Sequence, residues 1–381
     1  MNNNRIWLSL AHIGRSEQKY IQEAFDTKWV APLGPNVNAF EKDLENYIGN
    51  GKSVVSLSSG TAAIHLGLIQ LGVTSGDEVI CQSFTFAASA NPVMYLSASP
   101  VFVDSEPDTW NMSPVLLEQA INDRIKKTGR RPKAIIPVDL YGMPAKMDKI
   151  IEIAHAYEIP VLEDAAEALG SALNGQKCGT FGDFACLSFN GNKIITTSGG
   201  GALVCSTSSQ ARKSLFLSTQ ARDEVPYYQH SEVGYNYRMS NICAGIGRGQ
   251  MEVLTERIRR RREINHIYRS ILSQVEGIGF HTEPSDVFHS NYWLTAVLFD
   301  PEKTNGITNN DIRLACDAAN IETRLLWKPL HLQPVFSSYP FYGDGTSERF
   351  FKEGLCLPSG TSLSDEEIRY VAGYILSLLK N

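Results

Sequence analysis

The chain has 381 residues, 43% of them hydrophobic and 20% charged, with a formal net charge of -6 at pH 7. That length favours two domains and allows a large core, while the acidic balance weighs against a general nucleic-acid or membrane-surface binder and leaves room for a local basic pocket. No run reaches the ~18 apolar residues a membrane helix needs, and Met1-Asn2-Asn3-Asn4-Arg5 carries no signal-peptide apolar core, so a cytoplasmic protein is expected.

The seven cysteines form no C-x-x-C pair and several sit in apolar runs, which reads as buried reduced thiols. The eight histidines show no metal-type cluster, and no metal site is expected.

In chain order, apolar spacing predicts helices over 14–29 and 37–48, both for packing. A strand over 54–57 then meets the turn Ser58-Ser59-Gly60-Thr61 and a helix over 62–71. Strand, small-residue turn and helix start place free N–H groups and the positive helix end at one point, which is either an anion site or a plain N-cap. A strand over 78–81 follows. Phe84-Thr85-Phe86 opens a helix running to about residue 96, and these aromatics either cover a flat ring or belong to the core. Strands over 100–103, 133–138 and 160–163 surround a helix over 147–157. Near-continuous apolar strands separated by helices imply a parallel sheet covered on both faces, with ligands beyond the carboxyl ends of its strands.

Asp164 stands at such an end. It is either an N-cap or an acid that needs a cationic partner, such as a protonated pyridine nitrogen. Glu163 should face the opposite way, and Glu167 the same way if the segment is helical. After a strand over 184–189, an Asn/Gly turn leads to Lys193, two isoleucines and the glycines at 199–201. A lysine bracketed like this swings little. It is placed to hold a carbonyl cofactor as a Schiff base, or else it is a surface lysine in a turn. A strand over 201–205 comes next. In Gly234-Tyr235-Asn236-Tyr237-Arg238, Asn236 and Arg238 share a face if extended. Arg238 suits bidentate phosphate contact, or sits exposed on an edge strand. One long helix is expected over 250–275, with the basic run at 257–262 spread around it as a solvated face. It leads into a second domain with strands over 293–299 and 322–327 and helices over 309–319 and 364–379.

Taken together, Ser59-Gly60-Thr61-Ala62-Ala63-Ile64-His65-Leu66, Phe84-Thr85-Phe86, Glu163-Asp164-Ala165-Ala166-Glu167-Ala168-Leu169-Gly170, Ser188-Phe189 leading to Asn192-Lys193, and residues 234–238 resemble, in order and spacing, the pyridoxal-phosphate sugar aminotransferases of the DegT/DnrJ/StrS type. The resemblance runs from about Ile6 to the C-terminus. It implies an α/β fold of fold type I, aspartate aminotransferase-like. A large, mainly parallel-sheet cofactor-binding domain (1–250) would precede a smaller α+β domain (251–381).

By that resemblance Lys193 is the Schiff-base lysine and Asp164 pairs with the pyridinium nitrogen. Phe86 stacks on the ring and Glu167 lies near the ring oxygen. The backbone groups of Gly60, Thr61 and Ala62, with the Ser188 hydroxyl, hold the phosphate. Asn236 reaches that phosphate from the neighbouring subunit of a homodimer with shared sites. Arg238, by its phosphate chemistry, and His331, by the resemblance, are candidates to hold a nucleotide diphosphate; otherwise His331 is a loop histidine with no ligand. The runs at 190–201, 218–222 and 356–361 further resemble the bacillosamine-pathway enzymes that make UDP-4-amino-4,6-dideoxy-N-acetylglucosamine. L-Glutamate and a UDP-linked 4-keto sugar are the substrates this implies. The alternatives are action at carbon 3 or on a dTDP- or GDP-linked sugar, and a non-catalytic regulatory protein of the same fold. A related sugar dehydratase would carry His at position 193, and intact Lys193, Asp164 and Ser188 speak against a non-catalytic role.

Overall fold

The computed structural model describes residues 5–379. Two helices open the chain, α1 (Glu17–Asp26) and α2 (Pro35–Ile48). Val37, Phe40, Leu44 and Ile48 form the buried stripe of α2, as their spacing predicts. Strand β1 (Ser53–Leu57) begins an alternation with α3 (Gly60–Gln70), β2 (Glu78–Gln82), α4 (Asn91–Tyr95), β3 (Ser99–Val103), α5 (Pro114–Thr128), β4 (Ala134–Ile136), α6 (Met147–Ala156) and β5 (Leu162–Asp164). A small hairpin, β6 (Ala172–Leu173) and β7 (Gln176–Lys177), separates these from β8 (Phe184–Ser188), β9 (Gly201–Cys205), α7 (Ser208–Ser218), α8 (Asn241–Met251) and α9 (Leu254–Leu272). The remainder comprises β10 (Ile278–Phe280), β11 (Phe288–His289), β12 (Thr295–Phe299), α10 (Asn309–Ala318), β13 (Arg324–Leu325), β14 (Phe341–Tyr342), α11 (Thr346–Glu353), β15 (Gly354–Leu357) and α12 (Asp365–Leu379).

The first sheet runs β1-β9-β8-β5, then continues through the bridges Ile135↔Val161 and Val138↔Asp164 into β4-β2-β3-β14. Neighbours in it are parallel except at β9, which lies antiparallel to both β1 and β8. The expected parallel sheet is therefore mixed, for a topological reason. Only a loop joins β8 to β9, and without a helical crossover the chain can only return beside the strand it has just left. A second sheet, β10-β12-β15-β13, is wholly antiparallel.

Two expected helices are broken. The one beginning at Phe84 is a 3₁₀ turn followed by α4, which restarts at Asn91 with Pro92 in its first turn, where the missing N–H does no harm. The long helix over 250–275 divides at Val253, whose φ of -112° and ψ of 2° leave helical geometry. α8 lies so close to the N-terminal helices that a Cβ at Gly249 would come within 2.6 Å of the Glu17 nitrogen. α9 leaves that layer. Its Leu254 and Ile258 pack with Phe40 and Leu44, whereas Ile264, Tyr268 and Leu272 pack with Val297 and Phe299 of the second sheet and with Ile375 of α12. The basic run is also not a uniformly solvated face, because Arg257 and Arg261 are buried.

A further buried cluster, rich in aromatic residues, contains Phe84, Trp110, Tyr141, Trp293 and Phe350. His281 is stacked on Trp110 with centroids 4.2 Å apart, and its Nε2 lies 2.8 Å from the Thr109 carbonyl. Burial pushes this histidine down from 6.5 to about 4. The unfolded chain then binds the extra proton between those values, so this contribution to stability is fully present above the unfolded value and is lost progressively as pH falls from there through the folded value. Between pH 7 and pH 5, wild type should lose roughly 2 kcal/mol relative to His281→Gln, measured by urea unfolding of both proteins at each pH. A constant difference between them would refute this.

All seven cysteines are unpaired, and six of them are buried. Among the described residues no helix is long and apolar enough to cross a membrane.

Candidate active site

The carboxyl ends of β1, β5 and β8 open on one cavity of ≈480 Å³. At its rim Ser59 is extended (φ -167°, ψ 162°) and its Oγ accepts from the Ala62 N–H at 3.1 Å, capping α3. Ala62 is thus part of the cap, buried and outside the cavity lining. Gly60 and Thr61 do line it, and the opening amides of a helix have no intrahelical partner. Ser188, at the end of β8, and Gly200 complete this rim. β9 passes so close beneath that a Cβ at Gly201 would lie 2.3 Å from the Gly60 nitrogen. Helix end, hydroxyl and glycine-only approach make an anion cradle.

Deeper in the cavity stands Asp164, only 4% exposed. Its Oδ2 accepts from Ser89 Oγ at 2.7 Å and its Oδ1 from the Ala166 N–H at 3.2 Å. Burial pushes its carboxyl above the usual range, opposed by the Ser89 hydroxyl, the Ala166 amide and the charge of Lys193. A buried carboxylate held this way calls for a cation on its free side. Glu163 points to the opposite face of β5, where it accepts from the Gly179 and Phe181 amides beside Asp139 and Cys178.

Lys193 Nζ lies 3.3 Å from Glu167 Oε1 and 4.1 Å from the centroid of Trp293. The other oxygen of Glu167 accepts from the Tyr141 N–H at 2.7 Å. Tyr141 holds a φ of 54°, a left-handed conformation uncommon for a residue with a bulky side chain. The turn aims its amide at Glu167 while its hydroxyl accepts from the Trp327 amide at 2.9 Å. Burial raises the Glu167 carboxyl, and Lys193 and the Tyr141 amide pull it back. Phe86 lines the mouth at 54% exposure, 5.2 Å from the ring of Trp327.

Asp164, Glu167, Ser188, Lys193, Gly60, Thr61 and Phe86 are thus brought together. Four expected residues do not line the cavity: Ala62, held in the helix cap, and Asn236, Arg238 and His331. Asn236 is exposed and lies along the end of α7, bridged to Thr219, outside this cavity. Arg238 is committed elsewhere: its guanidinium pairs with Glu41 and donates to the Ser56 carbonyl at 3.1 Å. The expected diphosphate contact therefore gives way to a structural ion pair. His331 is likewise turned away, stacked on Phe341 at 3.5 Å and bonded to Ser83 Oγ at 2.7 Å. The sequence reading gave no site role to Ser89, Trp293, Arg324 or Trp327, all of which line the cavity. For Ser89 a signal existed, a hydroxyl three residues beyond Phe86 in a run of alanines.

A primary amine, a buried carboxylate facing it, an anion cradle and an open aromatic ring fit pyridoxal phosphate in size and chemistry. With a mixed sheet in which a single strand is reversed, they define a fold type I enzyme of the aspartate aminotransferase kind. The chain belongs to the DegT/DnrJ/EryC1/StrS aminotransferase family, whose model matches residues 11–376, and its cofactor is pyridoxal 5′-phosphate. It is 50% identical over 380 residues to EpsN of Bacillus subtilis (strain 168), provisionally assigned as a pyridoxal phosphate-dependent aminotransferase, covering 99% of this chain and 96% of that one. It is 37% identical to the GDP-perosamine synthase of Escherichia coli O157:H7, with 93% of each covered. Among solved structures, a DegT/DnrJ/EryC1/StrS aminotransferase from Brucella abortus superposes with a TM-score of 0.89 at 29% identity, covering 96% of each chain.

Proposed function

We propose that the protein transfers the amino group of L-glutamate to carbon 4 of a UDP-linked 4-keto-6-deoxy-N-acetylhexosamine, giving a UDP-4-amino-4,6-dideoxy-N-acetyl sugar for bacterial glycan synthesis. The observation that carries the transaminase reading is the pairing of Lys193 and Asp164, an amine and a buried carboxylate opening on the same cavity. When bound, pyridoxal phosphate supplies the electron sink that transamination needs. Lys193 would hold it through its side-chain amine, and the same amine would be the base that moves the proton at the reacting carbon. Asp164 keeps a proton on the ring nitrogen. Glu167 orients the lysine, Phe86 covers the ring, and Gly60, Thr61 and Ser188 bind the phosphate. Asn236, exposed outside its own cavity, reaches the phosphate of a second copy, so the working unit is a homodimer.

The sugar assignment is supported by the runs at 190–201, 218–222 and 356–361. The perosamine synthases, at 37% and 35% identity over more than nine-tenths of the chain, favour a second reading, a GDP-linked keto sugar. The test is incubation of the cofactor-loaded protein with glutamate and UDP-, GDP- and dTDP-linked 4-keto sugars, with products identified by mass spectrometry and NMR. Amination of the UDP N-acetyl sugar alone is expected. Turnover only of the GDP sugar would replace the first reading with the second.

A further inference from the structure

The indole of Trp293 touches Lys193 at both ends. Its ring face lies 4.1 Å from Nζ, and its Nε1 donates to the carbonyl of Asn192, the residue just before the lysine, at 2.7 Å. Ser9 Oγ donates to the same carbonyl at 2.9 Å. Both donors are held in turn by Arg261 of α9, whose Nη1 donates to the Trp293 carbonyl at 2.5 Å and Nη2 to Ser9 Oγ at 2.8 Å. The opposite side is closed by Asn291. Its Oδ1 accepts from the Trp293 N–H at 2.8 Å, and its Nδ2 donates to the carbonyls of Glu167 and Leu169 at 3.0 Å each. The two partners of the lysine amine, Trp293 and Glu167, are therefore tied to each other as well as to Lys193.

Arg261 is 2% exposed, and among the described residues its bonds go to a carbonyl and a hydroxyl, with no carboxylate. Burial and the nearby Arg257 push it down to about 9. A cation stripped of water without an anion is destabilising, and an apolar residue of similar size would serve packing better. Its donors have a use at this position because they fix a tryptophan carbonyl and a serine that converge on one peptide.

We propose that Trp293, locked by Arg261 and Ser9, is the positioning residue that sets the reach and orientation of the Lys193 amine. This deepens the transaminase reading and rests on it for the role of Lys193, but it can be tested without turnover. In cofactor-free protein, the rate at which an acetylating reagent modifies Lys193 is followed by peptide mass spectrometry. Trp293→Leu removes both the ring face and the N–H, and Lys193 should then label about 3- to 30-fold faster, the range expected for a lost cation–π contact. Other lysines should be unaffected. Trp293→Phe keeps a ring face and should lie between the two. In the loaded enzyme, Trp293→Leu should lower kcat by about 10- to 100-fold, with KM for the amino donor within about two-fold, as for a misplaced reacting group.

Arg261→Met, which preserves volume, should be at least as stable as wild type and show the same changes in smaller measure. If Lys193 labelling stays within two-fold of wild type in a folded Trp293→Leu protein, the proposal is wrong, whatever happens to activity. Unchanged labelling in Arg261→Met would remove the arginine from it. Because labelling needs neither cofactor nor sugar, it decides the matter even if no keto sugar proves to be a substrate.

Discussion

Lys193→Ala should lose amino transfer by about four orders of magnitude or more, equivalent to ~5.5 kcal/mol of transition-state stabilisation. Lys193 is the one amine among the residues lining the cavity; the other cation there, Arg324, is a guanidinium engaged with Glu322 at 2.8 Å. Glu167 cannot replace the lysine, since a carboxylate forms no imine and one of its oxygens is already taken by the Tyr141 amide. The fold should survive, because the two carboxyls left without their cation, Asp164 and Glu167, are already raised by burial and can take up protons instead. Lys193→Arg separates charge from chemistry. It retains a cation beside Glu167 and should be as inactive as the alanine variant. Borohydride reduction of the wild type, followed by peptide mapping, should place the cofactor mass on the peptide containing Lys193. Finding it on another lysine, or an alanine variant within ten-fold of wild type, would remove the basis of the proposed function.

What could be read in advance was local. The turn after β1 and the positions of Asp164 and Lys193 are marked by short apolar runs that end abruptly, and chemistry in such sheets gathers at strand ends. What escaped depended on partners distant in sequence. Nothing near Arg238 announces that Glu41, 197 positions earlier, neutralises it. Arg261 looked like one charge among several in a basic run, yet its ligands come from Ser9 and Trp293. Trp293 read only as the first residue of a strand, yet it is buried in the aromatic cluster and its ring meets the lysine. α5 was missed for another reason. Ser113 caps it, Pro114 opens it and Gly129 ends it in a left-handed conformation, all legible signals. Only Leu117, Ala120 and Ile121 along it are buried, too narrow a stripe for periodicity to register.

The second large effect concerns Asp164, and it sets activity against stability. Asp164→Asn preserves the shape, with its one amide oxygen accepting from the Ala166 N–H and its NH2 donating to the Ser89 hydroxyl, but it removes the charge. Its rate should fall by about three orders of magnitude or more, ~4 kcal/mol, with cofactor still retained by Lys193 and the phosphate cradle. The half-reaction with glutamate, followed by absorbance, gives the rate. Gel filtration of the loaded protein shows retention. In the cofactor-free protein the same change should not destabilise and should help at neutral pH. Asp164 is raised by burial, so its contribution to folding is greatest where it is protonated and is lost as pH rises through that raised value. An asparagine escapes this penalty because it has no charge to desolvate. Urea unfolding at pH 7 should therefore find cofactor-free Asp164→Asn at least as stable as wild type. Ser89→Ala acts on the same carboxyl from the other side. Losing the 2.7 Å donor raises Asp164 further, so the acid limb of the activity profile should move to higher pH. Near-wild-type turnover by a cofactor-loaded Asp164→Asn protein would mean that the buried acid serves the fold and not the reaction.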